Sequence, residues 1–593
     1  MLTQLQNAAV ECDKNLIIFA GPGSGKTHTS ISKAERILRD RSRTLIMCTF
    51  TVDAAAELSS RLAKRFKDSG EAYPVSRVKI STFDSLALGH LKTSGVMKHK
   101  LLSPKAQAPK LRQMIMEMGL NSEADDLLPW FEMYQTTLDR SALIHRMQEH
   151  APDAHELVTM YYEWLRAAGM VDLATVKRTC AEGMAAGRIP LFSCTDLLVD
   201  ESQDSDELQM LMAETHGRSG VITTLVGDDD QTIYDWRSAI GYKGMQQFVE
   251  RCDAEIVRLG ENFRSHEEIV AAATRLIAFN NPDRIDKMQR STKGPGGSVE
   301  AFSFEDTMAE SIWIAKEISS TSSFPYDCAV LARRNRVLDV AESALTAENI
   351  PYSRAGASLW DRDDIASYLG FMQFVVYGDY LGLSLALGYF GLQSGTINSV
   401  LVKLKDGATL KAFLDGQLFD AEWNGPAVEK VMVSIAQMCA RWRKLLRAGE
   451  IGTVIGESSA EFVRWARICD TNAKGTSKRI LRLQTGMELV AQVLDKLKGK
   501  LSERISVLVN SKKEEPKEGV VRLLTMHASK GLEFDDVYLL DCAEREEELS
   551  VTEGPAERRV MYVAMTRARN RLRICYGGPF PIFLQQAGLT MPQ

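Results

Sequence analysis

Residues 16–27 read LIIFAGPGSGKT: an apolar run, three glycines spaced by a proline and a serine, then Lys26 and Thr27. LIIFA has the length and composition of a buried strand, and ISKAERIL (31–38) continues past the threonine with helical periodicity. A strand, a glycine-rich turn and a helix in that order form a phosphate-binding loop. Glycine lets successive backbone N–H groups converge on phosphate oxygens, and the helix N-terminus adds the positive end of its dipole. Ala20, Gly21, Pro22, Gly23, Ser24 and Gly25 make the loop, with Ala20 where the strict pattern has its first glycine. Lys26 is placed to reach β- and γ-phosphates, and the Thr27 hydroxyl to hold Mg²⁺.

A second element completes this chemistry. In LLVDESQD (197–204) three apolar residues bring Asp200 and Glu201 to the end of a strand, the edge where parallel sheets bind ligands. Asp200 suits a hydrated Mg²⁺, and Glu201 suits orienting and deprotonating a water. Together the two elements specify a nucleoside-triphosphate hydrolase.

Outward from these elements the chain alternates strand-like and helix-like segments. LIIFA, RTLIMCT (43–49), RVKIS (77–81), TDLLVD (195–200), ITTLVG (222–227) and EIVRLG (255–260) form one set. SVEAFSF (298–304), CAVLAR (328–333), VVRLLTM (520–526), DVYLLDC (536–542) and RLRICYG (571–577) form another. Helical patterns between them predict parallel sheets covered on both faces, and hence two α/β lobes. Residues 89–186 lack strand signals and 371–504 are mainly helical, so each lobe is expected to carry a helical insertion.

Composition narrows the class without naming a ligand. At 593 residues the chain is too long for one core, and 45% hydrophobic with 25% charged residues is ordinary for a globular protein. The net charge of −6 does not exclude a polyanionic partner, because affinity for phosphates comes from local basic clusters. Ten cysteines scattered without a CxxC pair suit reduced thiols and a cytoplasmic protein. His145, His150 and His155 fall on different helix faces and read as solvated surface, not as a metal site. The N-terminus is neither basic nor continuously apolar, so it is not read as a secretion signal. Residues 368–392 are the most apolar stretch, but Gln373, Asp379 and five glycines interrupt it. It reads as two buried helices meeting near Tyr377–Asp379 rather than a membrane span.

Eight segments then appear in order: LTQLQNAAV (2–10), AGPGSGKT (20–27), TFTVDAAAEL (49–58), DESQD (200–204), VGDDDQTIYDWRSA (226–239), ENFRS (261–265), TMHASKGLEFDDVYLL (525–540) and ERRVMYVAMTRAR (557–569). This set closely resembles the UvrD/Rep/PcrA family of superfamily 1 DNA helicases. The resemblance implies two RecA-like parallel-sheet motor domains, each interrupted by a mainly helical insertion. The first motor domain is then 1–88 with 187–280, its insertion 89–186. The second is 281–370 with 505–593, its insertion 371–504.

It also implies roles. Gln6 reads the adenine edge, Phe263 stacks on the base and Glu533 binds the ribose. Gln231 senses the γ-phosphate, and Arg264 and Arg567 approach it across an interlobe cleft as arginine fingers. Tyr234, Trp236 and Arg237 meet single-stranded bases; Phe50, Thr82, Phe83, Thr525 and His527 line the strand path. The expected enzyme is an ATP- and Mg²⁺-dependent helicase moving 3′-to-5′ on single-stranded DNA. Its other partners are single/double-strand junctions and a protein partner in repair, replication or defence, with no membrane. The alternative is a single-strand translocase or nucleic-acid-sensing ATPase subunit of a larger assembly, for example with a separate nuclease in defence, without robust unwinding alone. Asp53 and Asp84 depart from the family pattern and place negative charge near the expected strand path.

Overall fold

The structure, a computed structural model, describes residues 2–118, 124–234, 239–321, 325–356, 358–419, 426–470, 478–509, 519–545, 550 and 553–591. The chain forms two compact units. One comprises Met1–Val299, Arg545–Asn570 and Ile582–Leu589; the other comprises Glu300–Glu544, Arg571–Pro581 and Thr590–Gln593.

The first unit is built on six strands: β1 (Leu16–Ala20), β2 (Leu45–Thr49), β3 (Val78–Thr82), β6 (Asp196–Val199), β7 (Ile222–Gly227) and β8 (Glu255–Leu259). They lie in the order β3-β2-β6-β7-β1-β8, and every neighbouring pair is parallel. Both faces of the sheet are covered, which is why the strands read as unbroken apolar runs. Ile17 and Phe19 point into one core with Ile46, Cys48, Leu197 and Val199. Leu16, Ile18 and Ala20 point into the opposite core with Leu45, Met47 and Leu198. The period-two alternation that would be visible at a one-sided sheet is thus hidden in sequence but present in space.

Four helices position the phosphate loop and its neighbours: α1 (Gln4–Glu11), α2 (Lys26–Arg39), α3 (Val52–Asp68) and α4 (Phe83–Thr93). Each of β1, β2 and β3 leads into one of the last three, so loops at the strand ends carry residues 20–25, 50 and 82 to one edge. Between α4 and β6 the chain is helical around its own core of Leu111, Met114, Phe131, Tyr161 and their neighbours. That segment was expected to hold no strands, and here the structure differs. Lys100–Leu101 (β4) and Met170–Val171 (β5) pair in parallel. Two residues are too few to leave a periodic signal. Glu261–Asn262 (β9) and Arg290–Ser291 (β10) make a similar short pair beside the first sheet.

The second unit has its own sheet, with β11 (Ser298–Phe304), β12 (Cys328–Ala332), β13 (Tyr352–Arg354), β14 (Val521–Thr525), β15 (Phe534–Leu540) and β16 (Ala568–Gly577). The order is β11-β16-β15-β12-β14-β13, with β12 parallel to β14 and β15. The apolar stretch 368–392 forms two helices, Asp363–Tyr377 and Tyr380–Tyr389. They belong to a helical core that also contains Trp442 and Trp465. Among the described residues no helix is long and apolar enough to cross a membrane. Cys48, Cys180, Cys252, Cys328, Cys439 and Cys575 are buried as free thiols.

Candidate active site and nucleic-acid contacts

The glycine-rich loop follows β1 and is shaped by positive φ at Gly23 (69°) and Gly25 (78°), a region that side chains avoid. Space matters as much as torsion. A Cβ on Gly23 would lie 2.7 Å from Arg264 Cβ, and one on Gly25 would lie 2.8 Å from Gln6 Nε2. The loop is therefore gripped from two sides. On one, Asn262 Nδ2 donates to the Pro22 carbonyl at 2.8 Å and the Phe263 N–H donates to the Gly23 carbonyl at 2.9 Å. On the other, Gln6 Nε2 donates to the Ser24 carbonyl at 3.0 Å.

Gln6 is fixed by the start of α1. The Thr3 hydroxyl accepts from the Gln6 N–H, and the Thr3 N–H donates back to Gln6 Oε1 at 2.9 Å, a reciprocal cap. The far end of α1 is held by Lys33 on α2. Its buried ammonium donates to the carbonyls of Ala9 (3.0 Å) and Cys12 (2.6 Å), and burial pushes its pKa down to about 8.

At the end of β6, Asp200 and Glu201 face the loop. Burial, and then the neighbouring Glu201, raise the Asp200 carboxyl to about 7. Lys26 Nζ lies 3.5 Å from Glu201 Oε2. Glu201 itself has φ 49° and ψ 41°, a left-handed conformation unusual for a glutamate. Buried Gln203 bridges onward: its Nε2 donates to the Glu201 carboxylate, and its Oε1 accepts from the Asp228 N–H at 3.0 Å.

That N–H opens the loop after β7, where Asp228, Asp229, Asp230 and Gln231 are all buried. Gln231 Nε2 donates to Asp228 Oδ2 at 2.6 Å, and Gln231 Oε1 accepts from Arg567 Nη2 at 3.3 Å. Arg567 is 1% exposed and donates from Nε to the Val563 carbonyl at 2.8 Å. Burial, and then the like charge of Arg264, disfavour its cationic form. Arg264 is half-buried and reaches the Thr566 carbonyl at 3.3 Å. An anion placed between two such guanidiniums would relieve that penalty. Phe263, by contrast, is 45% exposed and offers an open ring beside the loop.

The first unit thus brings together Gln6, residues 20–27, Asp200, Glu201, Gln231, Phe263, Arg264 and Arg567. The expected strand contacts are more mixed. Phe50, just after β2, stacks on Tyr234 with ring centroids 5.8 Å apart and planes 12° from parallel; both rings are half-buried. Thr82 is spent as the cap of α4, its hydroxyl accepting from the Ser85 N–H at 3.3 Å. Phe83 is a correction. It is 3% exposed and packs in the sheet core with Leu86 and Ala87, so no face of its ring is open to a base. Asp84 is another departure from expectation: Lys177 Nζ lies 3.6 Å away and also pairs with Asp206, so its charge faces a buried cation. Asp53 is exposed in the first turn of α3. Trp236 and Arg237 lie outside the described residues. In the second unit Thr525 Oγ1 accepts from the Ala528 N–H at 3.2 Å, His527 is half-buried and Glu533 is exposed.

Sequence reasoning passed over three residues that the structure makes central: Gln203, Arg284 and Lys287. Gln203 sat inside a quoted motif, and its spacing of two from Glu201 was the available signal. Arg284 and Lys287 come after ENFRS in a segment of no recognised pattern. Lys287 Nζ lies 3.0 Å from Asp228, 2.6 Å from Asp229 and 2.7 Å from Asp230, while Arg284 takes both oxygens of Asp230 at 2.8 Å.

A glycine-rich loop opening a helix, acidic residues at the end of a strand two places away and one parallel sheet beneath them define a P-loop ATPase. The family comparisons carry this to a particular group. Residues 2–252 match the UvrD/REP helicase N-terminal domain, and residues 257–577 match the UvrD-like helicase C-terminal domain. DNA helicase II of Escherichia coli is 24% identical over 97% of this chain and 84% of its own length. ATP-dependent DNA helicase Rep of Buchnera aphidicola is 26% identical over 96% of this chain and 94% of its own. ATP-dependent DNA helicase PcrA of Leuconostoc citreum is 24% identical, covering 95% and 81%. The chain belongs to the UvrD-like helicase family, and is an enzyme of the ATP-dependent DNA helicase class.

Proposed function

We propose that this protein couples ATP hydrolysis to movement along single-stranded DNA, 3′-to-5′, and separates duplex at single/double-strand junctions during repair or replication. Its working parts are two motor domains with helical insertions, divided as the family resemblance implies. The observation that carries the reading is one short loop. Gln231, bonded to Arg567, and Tyr234, stacked on Phe50, are three residues apart. A group near phosphate and a group near bases on so short a segment do not move independently. A change at one end therefore alters the grip at the other.

In this reading Gln6 and Phe263 hold adenine, residues 21–27 hold the phosphates and Glu533 holds the ribose. Glu201 accepts a proton from the attacking water, and Gln231 orients that water against the γ-phosphate. Arg264 and Arg567 neutralise charge on the transferring phosphoryl group, an effect worth about 10³–10⁵ in rate for such arginines. Thr27 and Asp200 would hold Mg²⁺. Their hydroxyl and carboxylate oxygens suit that hard cation, and the burial that raises Asp200 to about 7 is a penalty a cation relieves. Bound there, Mg²⁺ would offset negative charge on the β- and γ-phosphates. Phe50, Tyr234, Trp236 and Arg237 form the sequence-tolerant base platform in the first unit, with Thr82 at the edge of the same strand path. Thr525 and His527 contact the strand from the second.

The test is strand displacement on duplexes with a 3′ or a 5′ single-stranded overhang, with ATP hydrolysis measured on the same substrates. Displacement from the 3′ overhang alone is expected. Displacement from the 5′ overhang alone would reverse the polarity. Hydrolysis indifferent to DNA would remove the coupling.

A further inference from the structure

We infer that Lys287, seconded by Arg284, is a positioning residue for ATP hydrolysis: it clamps the turn 228–231 so that Gln231 meets Arg567. The inference rests on reading Gln231 as a γ-phosphate group and goes on to say what holds it there. Three consecutive aspartates in a buried turn repel one another, and each is costly to bury as an anion. Their carboxylates are close enough to ring a single cation. The Lys287 ammonium, 0% exposed, is that cation, and contact with all three carboxylates holds its pKa above the ordinary lysine value.

The clamp has direction as well as charge. Arg284 meets Asp230 with both arms of its guanidinium, a planar fork that fixes the angle of the carboxylate. The Ile285 N–H donates to Asp229 Oδ2 at 2.7 Å. The turn is thereby held by backbone and side chains of one short segment, 284–287. Asp228 in turn uses its second oxygen to accept from Gln231 Nε2 at 2.6 Å, which leaves Gln231 Oε1 facing Arg567. A continuous chain runs from Lys287 through Asp228 to Gln231 and Arg567, with no step through solvent-exposed groups. Just beyond the turn, Arg559 Nε donates to the Thr232 carbonyl at 2.7 Å, so its exit is fixed as well.

The experiment is a double-mutant cycle on the full chain, reading DNA-stimulated ATP hydrolysis in wild type, Gln231→Ala, Lys287→Met and the double variant. Each single change is expected to lower kcat about tenfold or more with KM for ATP within about twofold, and the double variant to fall no further. Lys287→Arg, which keeps the charge, is expected to recover part of the loss. A Lys287→Met protein with a normal thermal transition and wild-type kcat would overturn the clamp. So would a double variant whose loss is the product of the two single losses, as expected of a residue that only stabilises the fold. If Lys287→Met does not fold, Lys287→Met with Asp229→Asn removes one negative charge with the positive one and carries the same cycle. Gln231→Ala with wild-type kcat overturns the underlying reading of Gln231, and the clamp with it. Which single variant keeps its rate tells the two failures apart.

Discussion

Lys26 Nζ and Glu201 Oε2 face each other at 3.5 Å, the lysine from the first position of α2 and the glutamate from the turn after β6. Opposite charges at that separation steady both side chains before any phosphate arrives. Under the roles proposed above, incoming triphosphate would draw the lysine away and leave the carboxylate to accept a proton.

Glu201→Gln should bind ATP and hydrolyse it at least about 10²-fold more slowly, the scale of a lost general base. Equilibrium binding of a fluorescent nucleotide beside steady-state turnover checks this. Retained turnover would assign the base elsewhere.

The aromatic residues should separate cleanly. Tyr234→Ala or Phe50→Ala should weaken single-strand binding by about 1–3 kcal/mol and leave DNA-independent hydrolysis largely intact. Phe83→Ala should instead cost about 3–5 kcal/mol of stability, because it empties a buried site. Fluorescence anisotropy with labelled oligonucleotide, beside urea unfolding, distinguishes the two behaviours. A folded Phe83→Ala protein with a specific binding defect would contradict its place in the core.

Lys33→Met removes the two hydrogen bonds that hold the end of α1 and spares Gln6 itself. The expected outcome is a rise in KM for ATP of about fivefold with kcat nearly unchanged, the signature of lost ground-state binding. A fall in kcat at constant KM would show that α1 acts on the chemical step.

Glu310 gives the second unit a pH dependence. Burial raises its carboxyl from 4.5 to about 7, although its Oε2 accepts from the Asp541 N–H at 2.8 Å. Between those values the folded chain keeps a proton that the unfolded chain has released, so this group makes stability fall as pH rises from 4.5 to 7. The full span corresponds to about 3 kcal/mol at most. Glu310→Gln, permanently neutral, should flatten that part of the urea-midpoint profile. Parallel profiles for the two proteins would exclude the group.

The sequence disclosed what is local. LIIFAGPGSGKT carries strand, turn and helix within a few residues, and each imposes its own residue types, so the loop could be read without coordinates. The same holds for Asp200 and Glu201 after their apolar strand. Lys287 could not be found this way, because its partner Asp230 lies 57 residues earlier and nothing in the intervening chain marks the pairing. Phe83 misled for a different reason. A motif gives residue type but not the face it occupies, and the first position of α4 happens to turn inward with Leu86 and Ala87. Asp84 was legible as a charge but not as one half of a pair, since Lys177 comes from a separate helix.

The left-handed backbone at Glu201 has one more consequence. A non-glycine side chain held there costs on the order of 1–2 kcal/mol, which glycine would avoid and asparagine would reduce. A population of variants screened only for heat resistance should therefore drift toward glycine or asparagine at this position, gaining durability while forfeiting turnover. On the role proposed for Glu201, thermal endurance and catalysis pull this one residue in opposite directions.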